Sequence, residues 1–371
     1  MTQASTTVVP RHVDWQRVRD VASRLTTPLH PDDYLSMINP LWSTRELRGR
    51  FERVTPETDD AATLVIKPGW GWSFDHQAGQ YIGIGVEVDG RYHWRSYSLS
   101  SVPQHTRGTR GNRGSITITV RAMPEGFLSD HLVRGLAPGT IVRLAAPAGE
   151  FTLPDPPPAK ILFLVAGSGI TPVMSMVRTL DRRGTMPDAV LVYSSPDEDR
   201  MIFRDELRTL HDKHPSLTVI ERFTDVEGVL ALEGLDRVCP DWRDRGTWAC
   251  GPAPMLDAAE EFWERAGLED LLHLERFSLD LGDSDAEGGV ITFANSGKQV
   301  EADGATTLLE AGERAGVGMP YGCRIGICHT CTITLAAGRI KDLRTGEEHP
   351  DPNESVQTCI SAACGDITLN I

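Results

Sequence analysis

Short runs in which apolar and polar residues alternate fill the chain from about residue 46 to residue 153. They occupy residues 62–67, 81–88, 115–121 and 140–145, are rich in β-branched residues, and are separated by turn-forming residues. Several short strands at this spacing are typical of all-β domains. The pattern therefore predicts an antiparallel barrel or sandwich over residues 46–153.

The pattern changes from residue 160 onward. Two buried-strand runs, at 161–165 and 189–193, alternate with helical segments at 173–180 and 204–211. Alternating strands and helices form a parallel sheet that is covered by helices. We therefore predict an α/β domain over residues 159–279.

The remaining segments are linkers, an extension and a last domain. The proline run at 154–158 predicts a stiff linker, and the acidic stretch at 280–288 predicts a flexible one. Residues 1–45 contain Pro28, Pro31 and Pro40 and are expected to form an irregular, partly helical extension. The last domain spans residues 289–371.

Charge and hydropathy exclude some classes of function. The chain of 371 residues has 37 Lys and Arg against 52 Asp and Glu, a formal net charge of −15. Because phosphate backbones bind to basic surfaces, this balance argues against a nucleic-acid partner. The polar start argues against a signal peptide, and no apolar run approaches the roughly 20 residues of a membrane span. We therefore expect a cytoplasmic protein without a transmembrane span.

Four cysteines near the C-terminus have the spacing of iron ligands. Cys323, Cys328 and Cys331 are separated by four and two residues, and Cys359 follows later. This is the spacing of a plant-type 2Fe–2S cluster, whose irons are bound by thiolates. Four scattered structural cysteines would be the alternative, but the glycine-containing loop around the first three favours a cluster.

A short polar motif at the end of a predicted barrel strand is suited to a flavin. In Arg95-Ser96-Tyr97-Ser98, the guanidinium can pair with a pyrophosphate, the ring can cover the isoalloxazine, and a serine hydroxyl can reach the flavin N5 edge. Further on, Gly126 and Ser129 open a predicted helix over 129–133, where a helix N-terminus favours a phosphate.

A glycine-containing turn follows the first strand of the α/β domain. Its residues run Gly167-Ser168-Gly169-Ile170-Thr171-Pro172, so Pro172 stands where a Gly-x-Gly-x-x-Gly motif has its third glycine. The glycines allow close backbone approach, and the following helix can face a dinucleotide pyrophosphate. Proline is tolerated in the first turn of that helix.

The order of these motifs, followed by Cys250-Gly251-Pro252 after a later strand, resembles the ferredoxin–NADP reductase superfamily. The resemblance implies an antiparallel β-barrel that binds FAD, an α/β parallel-sheet domain that binds NADPH or NADH, and an α+β ferredoxin domain of the β-grasp fold. It also implies an oxidoreductase in which electrons pass from the nicotinamide to the flavin and then to the cluster.

The resemblance also implies which residues hold each cofactor. Those expected at the site of hydride transfer are Tyr97, Ser98, Thr171 and Cys250. The expected FAD contacts are Arg95, Tyr97, Ser98, Val120, Gly126, Leu128 and Ser129. The expected nicotinamide nucleotide contacts are Gly167, Ser168, Gly169, Thr171, Pro172, Ser194, Ser195, Arg200, Cys250, Gly251 and Pro252.

The choice between NADPH and NADH depends on residues after the second strand of the α/β domain. A 2′-phosphate needs hydroxyls and cations there, whereas a carboxylate favours the free ribose. The chain offers Ser194, Ser195 and Arg200, with Arg222 as another candidate cation, but also three carboxylates at 197–199. We expect NADPH.

The electron acceptor is inferred from the N-terminal extension. Residues 28–42 resemble the leader of actinobacterial oxidoreductases that serve membrane acyl-CoA desaturases. We therefore expect a monomer that forms transient redox complexes with such a desaturase, and a peripheral position at the membrane stays open. Two alternatives also stay open: the reductase component of a Rieske or other oxygenase, and a non-catalytic electron-relay subunit of a complex.

Overall fold

The computed structural model describes residues 31–44, 46–72, 74–88, 91–103, 114–123, 127–277, 287–304, 306–321, 326, 329–343, 347–349 and 353–371. Its first element is helix α1, Pro31–Ile38, followed by a 3₁₀ turn at Pro40–Trp42. The Asp32 carboxylate accepts hydrogen bonds from Ser43 and Thr44, and the Trp42 and Trp70 rings stack with centroids 5.1 Å apart. The described part of the extension is therefore attached to the domain that follows.

The second unit is a six-stranded antiparallel sheet, with the strand order β4-β3-β6-β1-β2-β5. Its strands are β1 Arg48–Pro56, β2 Ala61–Pro68, β3 Tyr81–Val88, β4 Arg91–Ser98, β5 Ile116–Arg121 and β6 Ile141–Leu144. A bridge between Leu99 and Ile118 connects the two edges, so the sheet closes into a barrel as predicted. Helix α2, Phe127–Asp130, and a π-helical turn, His131–Gly135, pack on the barrel core through Leu128 and Leu132. This helical segment is longer than the predicted 129–133.

The parallel-sheet domain has five strands in the order β11-β10-β7-β8-β9. They are β7 Lys160–Ala166, β8 Asp188–Ser195, β9 Leu217–Phe223, β10 Gly246–Cys250 and β11 Leu272–Glu275. The helices are α3 Ile170–Arg183, α4 Arg204–Lys213, α5 Thr224–Glu227, α6 Leu235–Val238 and α7 Ala253–Ala266. Separate apolar cores cover the two faces of the sheet. Because successive strands leave β7 in opposite directions, the carboxyl end of β7 is the switch point at which such sheets bind ligands.

The last domain is a mixed sheet. Its elements are β12 Gly289–Phe293, β13 Lys298–Ala302, α8 Leu308–Arg314, β14 Thr332–Asp342, β15 Glu348–His349, β16 Ser355–Gln357 and β17 Ser361–Leu369. Strand β17 lies between β12, to which it is parallel, and β14, to which it is antiparallel. The α8 side chains Leu308 and Leu309 are buried with those of the sheet. Within the described ranges, no helix has the length and apolar character needed to cross a bilayer.

Candidate functional site

The flavin motif lies at the end of β4, where the barrel meets the parallel-sheet domain. Tyr97 is half-buried, and burial raises the pKa of its hydroxyl far above the ordinary value, so this group stays protonated. Ser98 is buried, whereas Arg95 is exposed. Ser96 points to the same face of the strand as Ser98, and its buried hydroxyl has no hydrogen-bond partner in the part of the chain that is described. A buried hydroxyl needs a hydrogen-bond partner, so the end of β4 fits a bound polar cofactor. We call this segment, Arg95 to Ser98, the flavin wall.

The other expected FAD contacts lie beside this wall. Val120 on β5 and Leu128 on α2 are both buried in the barrel core. Ser129 lies in the first turn of α2, and its hydroxyl accepts a hydrogen bond from the Met123 N–H at 3.0 Å. Gly126 lies outside the described residues.

The glycine turn is a 3₁₀ turn, Gly167–Gly169, between β7 and α3. Gly167 has a positive φ of 55°, which favours glycine. Its carbonyl accepts a hydrogen bond from the buried Tyr193 hydroxyl on β8 at 3.0 Å. Thr171 is buried, and its hydroxyl donates to Ser168 O at 2.9 Å, while Pro172 follows within the first turn of α3. These contacts fix the turn at the switch point of the sheet.

Cys250 and Gly251 lie directly against this turn. A Cβ atom on Gly169 would be 2.0 Å from Cys250 O and 2.4 Å from Cys250 C, so only glycine fits there. The Cys250 thiol is fully buried, and burial raises its pKa, so it remains a neutral thiol. The turn and the Cys250-Gly251-Pro252 run thus form one continuous surface at the carboxyl ends of β7 and β10. Such close backbone approach fits a dinucleotide.

Glu275 is a residue of this surface that sequence reasoning missed. It ends β11 and pairs in register with Cys250. Burial raises the pKa of its carboxyl group to about 7. The sequence shows the charged residue itself, but it does not show that this residue lies beside Cys250. The pairing of β10 with β11 is not encoded by neighbouring residues.

Arg121 is a second residue that the sequence did not reveal as part of the site. It leaves the barrel on β5 and donates a hydrogen bond across to the carbonyl of Arg200. Its Nη1 atom lies 3.1 Å from the position of a Cβ atom on Gly167. A cation of the barrel therefore lies beside the glycine turn of the other domain.

The residues expected to read the 2′-phosphate lie at the carboxyl end of β8. Ser194 is half-buried, and the Ser195 hydroxyl is buried without a hydrogen-bond partner among the residues described. The Arg200 side chain is 56% exposed and pairs with Asp197 at 3.3 Å. Arg222, by contrast, donates to the carbonyls of Glu227 and Gly228 and so holds the loop after β9.

Two of the four expected iron ligands are described. Cys331 and Cys359 are buried, and their sulfur atoms are 3.3 Å apart, close enough to bind one iron ion. The Gly326 N–H donates to Cys359 Sγ at 3.3 Å, as expected for a thiolate ligand. Cys323 and Cys328 lie outside the described residues. The described thiols and the N–H group fit a cluster.

Gln357 and Thr358 tie this loop to the sheet. The Gln357 amide donates to Gly326 O at 2.9 Å, and the Thr358 hydroxyl donates to Cys331 O at 2.9 Å. Gly326 and Cys331 are thereby held next to the end of β16, two residues before Cys359.

Family models match three consecutive parts of the chain. The oxidoreductase FAD-binding domain matches residues 66–153, the oxidoreductase NAD-binding domain residues 163–261, and the 2Fe-2S iron-sulfur cluster binding domain residues 291–364. The chain therefore has the three cofactor-binding domains that the motifs predict.

Relatives and solved structures agree with these matches. An NADPH oxidoreductase of Mycobacterium tuberculosis is 56% identical over 97% of this chain and 94% of its own length. The ferredoxin reductase component of a 3-ketosteroid-9-alpha-monooxygenase from Mycolicibacterium smegmatis is 30% identical over 77% of this chain and 85% of its own. The fold is that of phthalate dioxygenase reductase, with a TM-score of 0.59, 20% identity, and coverage of 88% of this chain and 98% of that one. Because the first relative shares more than half of the aligned residues along nearly the full length of both chains, this chain belongs to the ferredoxin–NADP reductase superfamily, as an NAD(P)H-dependent oxidoreductase with its own 2Fe–2S domain.

Proposed function

We propose that this enzyme oxidises NADPH and delivers the electrons, through FAD and its 2Fe–2S cluster, to a membrane fatty acyl-CoA desaturase. Bound FAD would accept the two electrons of a hydride and release them one at a time to the cluster. The nucleotide, the acceptor and the roles of individual residues are each argued below.

The choice of NADPH is supported by Arg200 and by the 56% identical relative, which is an NADPH oxidoreductase. The guanidinium of Arg200 is exposed in the loop after β8, which ends with Ser194 and Ser195, and there it can pair with a 2′-phosphate. Arg222 is already bound to the loop carbonyls of 227–228, so we assign the 2′-phosphate to Arg200. Arg121 adds a positive charge at the glycine turn for the pyrophosphate.

The chain itself contributes positioning and exclusion of water. We assign Tyr97 and Ser98 to one face and the N5 edge of the flavin, and Arg95 to its pyrophosphate. Cys250 is a neutral, buried thiol that would keep the nicotinamide side of the site apolar. The glycine turn, closed against Cys250 and Gly251, would hold the nicotinamide nucleotide at the switch point of the sheet.

The observation that carries the desaturase proposal is an exposed apolar surface next to the barrel. It consists of the exposed apolar side chains Tyr34, Leu35, Met37 and Ile38 on α1, of which Met37 and Ile38 are 71% and 73% exposed. Large apolar side chains grouped on a surface mark a membrane or protein contact. Residues 1–50, which include this segment, have seven arginines against five carboxylates, a balance that suits an anionic membrane surface. We call this surface the α1 patch.

A reductase component of an oxygenase is the second candidate. The 30% identical relative is by name the ferredoxin reductase component of a monooxygenase. This function uses the same cofactors and the same route of electrons, and differs only in the acceptor. The α1 patch would then have no membrane to contact.

The deciding experiment measures NADPH-driven conversion of stearoyl-CoA to oleoyl-CoA with this protein and membranes that contain a candidate desaturase, with NADH in parallel. We expect product only when the protein and NADPH are both present. The double variant Met37→Asp, Ile38→Asp should lower this rate and leave NADPH–ferricyanide turnover unchanged. Val226→Asp is the matched control, because Val226 is an 87% exposed apolar residue of the parallel-sheet domain. Reduction of the cluster without any product would refute the desaturase and favour an oxygenase.

A further inference from the structure

One face of helix α3 carries a line of polar side chains toward the barrel. Thr171, Ser175 and Arg178 are spaced by four and three residues, so they lie on the same side of the helix. Thr171 and Ser175 are buried, and the Arg178 side chain is only 20% exposed. Helix α3 begins at the glycine turn, so whatever fixes this helix also fixes that turn.

Arg178 crosses from the parallel-sheet domain to the barrel. Its Nε and Nη2 atoms donate to the two Glu206 carboxylate oxygens at 2.7 and 2.6 Å, and its guanidinium lies 4.7 Å from the centre of the Phe203 ring. With those two nitrogens held inside its own domain, the remaining Nη1 donates to the backbone carbonyl of Ser100 at 2.6 Å. The paired carboxylate therefore orients the guanidinium toward the barrel.

Ser175 makes a second contact of the same kind. Its hydroxyl donates to the backbone carbonyl of Ser101 at 2.7 Å. Ser100 and Ser101 follow the last residue of β4, Ser98, by two and three residues. The Ser100 hydroxyl is in turn hydrogen-bonded to the hydroxyls of Thr117 and Thr119 on β5, so this segment is rigidly attached to the barrel wall.

We infer that Arg178 and Ser175 are positioning residues that set the distance between the flavin wall at the end of β4 and the nicotinamide turn at the start of α3. Ser98 lies two residues before Ser100 and three before Ser101, and the glycine turn ends six residues, less than two helical turns, before Ser175. Neither side chain reaches the reacting atoms. Both act through the backbone segments that carry Ser98 and the glycine turn, and the inference rests on the roles proposed above for those segments.

The experiment compares the variants Arg178→Met and Ser175→Ala with the wild-type holoenzyme in anaerobic stopped-flow reduction of the flavin by NADPH. Arg208→Met is the matched control, because Arg208 also pairs bidentately with a carboxylate, Glu221, at 2.7 and 2.6 Å, but within one domain. We expect Arg178→Met to lower the flavin-reduction rate at saturating NADPH about ten-fold or more, since a misplacement near 1 Å can cost about 10²-fold. We expect Ser175→Ala to lower it less, and Arg208→Met to leave it unchanged.

Four further readouts separate positioning from a general loss of structure. The FAD content and the dissociation constant of NADP⁺ should be unchanged in both α3 variants, so that the loss is in kcat rather than in KM. The isotope effect with NADPH deuterated at the transferred position should increase, because hydride transfer becomes rate-limiting. Oxidation of the dithionite-reduced protein by cytochrome c should keep its wild-type rate, because this step does not involve the nicotinamide.

Wild-type flavin reduction in Arg178→Met and Ser175→Ala would overturn the inference. A loss that is fully explained by missing FAD or by weaker NADP⁺ binding would overturn it as well. If the proposed nucleotide or acceptor is wrong, the wild-type protein itself will prefer NADH or give no desaturase turnover. If the positioning inference is wrong, only the comparison of the variants with the wild type will show it.

Discussion

Replacing Gly169 with alanine tests the close approach of the glycine turn to Cys250 in the proposed nicotinamide site. The new Cβ atom would be 2.0 Å from Cys250 O, 2.4 Å from Cys250 C and 2.9 Å from Gly251 N. All three are backbone atoms, and Gly169 has a helical φ of −60°, so the conflict is purely one of space. Ordinary contact would require the turn and the Cys250–Gly251 segment to separate by about 1.4 Å. Since a misplacement of about 1 Å can cost roughly 10²-fold, we expect the rate of flavin reduction by NADPH to fall by about two orders of magnitude.

The assay is stopped-flow bleaching of the flavin at saturating NADPH, with NADP⁺ binding measured separately. Gly184→Ala is the control within the same helix, because Gly184 ends α3 with a φ of 65° and has no atom within 4 Å of an added Cβ. That variant should lose about 1 kcal/mol of stability through backbone strain and keep its rate. If Gly169→Ala binds NADP⁺ and reduces its flavin like the wild type, the close approach does not align the two cofactors.

Three other perturbations have defined outcomes. The pKa of Glu275 is about 7 in the folded chain, against an ordinary value of 4.5 for the unfolded chain. The folded state therefore binds this proton more tightly, and the resulting stabilisation is present at low pH and is lost as the pH rises through 7. The free energy of unfolding should fall by up to about 3 kcal/mol over this range, and Glu275→Gln should abolish this pH dependence. Unfolding midpoints of both proteins from pH 4 to pH 9 would show it. The same pH profile in the variant and the wild type would refute the raised pKa of Glu275. Cys331→Ser should abolish the cluster signal in EPR and acceptor turnover but preserve NADPH–ferricyanide activity, and loss of flavin reduction as well would mean that the cluster is structural. Arg245 is 5% exposed and pairs with Asp188 and Asp241 at the amino ends of the parallel strands. Arg245→Met should therefore lower the free energy of unfolding in denaturant by about 2–3 kcal/mol. The proposed nicotinamide site lies at the opposite, carboxyl ends of the strands, so the flavin-reduction rate should not change. A changed rate would contradict a purely structural role for Arg245.

Strands with a strong apolar pattern were predicted well from the sequence. The predicted strand at 81–88 coincides with β3, and the strand predicted at 161–165 lies within Lys160–Ala166. Strand β1 was missed, because Phe51 is the only large apolar side chain that it buries fully, and its other residues are mostly charged or polar. Helix α3 begins before the predicted residue 173, because Thr171 and Pro172 occupy its first turn, where proline costs no hydrogen bond.

The site was predictable only where its chemistry is local in sequence. The cysteine spacing and the glycine turn can be read from adjacent residues. The contact of Gly169 with Cys250, the pairing of Cys250 with Glu275, and the reach of Arg178 to Ser100 depend on how distant segments are arranged. No periodicity or short motif encodes those arrangements, so these contacts, and with them Glu275 and Arg178, emerged only from the structure.

The central place of β17 in the mixed sheet has a consequence for biogenesis. Strand β17 is the last strand of this sheet along the chain, yet it separates β12 from β14. During synthesis, β12 and β14 therefore emerge from the ribosome without the strand that joins them. Cys359 precedes β17 by two residues, and its partner Cys331 emerges much earlier. Because the sheet next to the expected iron ligand Cys359 is complete only once β17 has been synthesised, we expect cluster insertion to follow the synthesis of that strand.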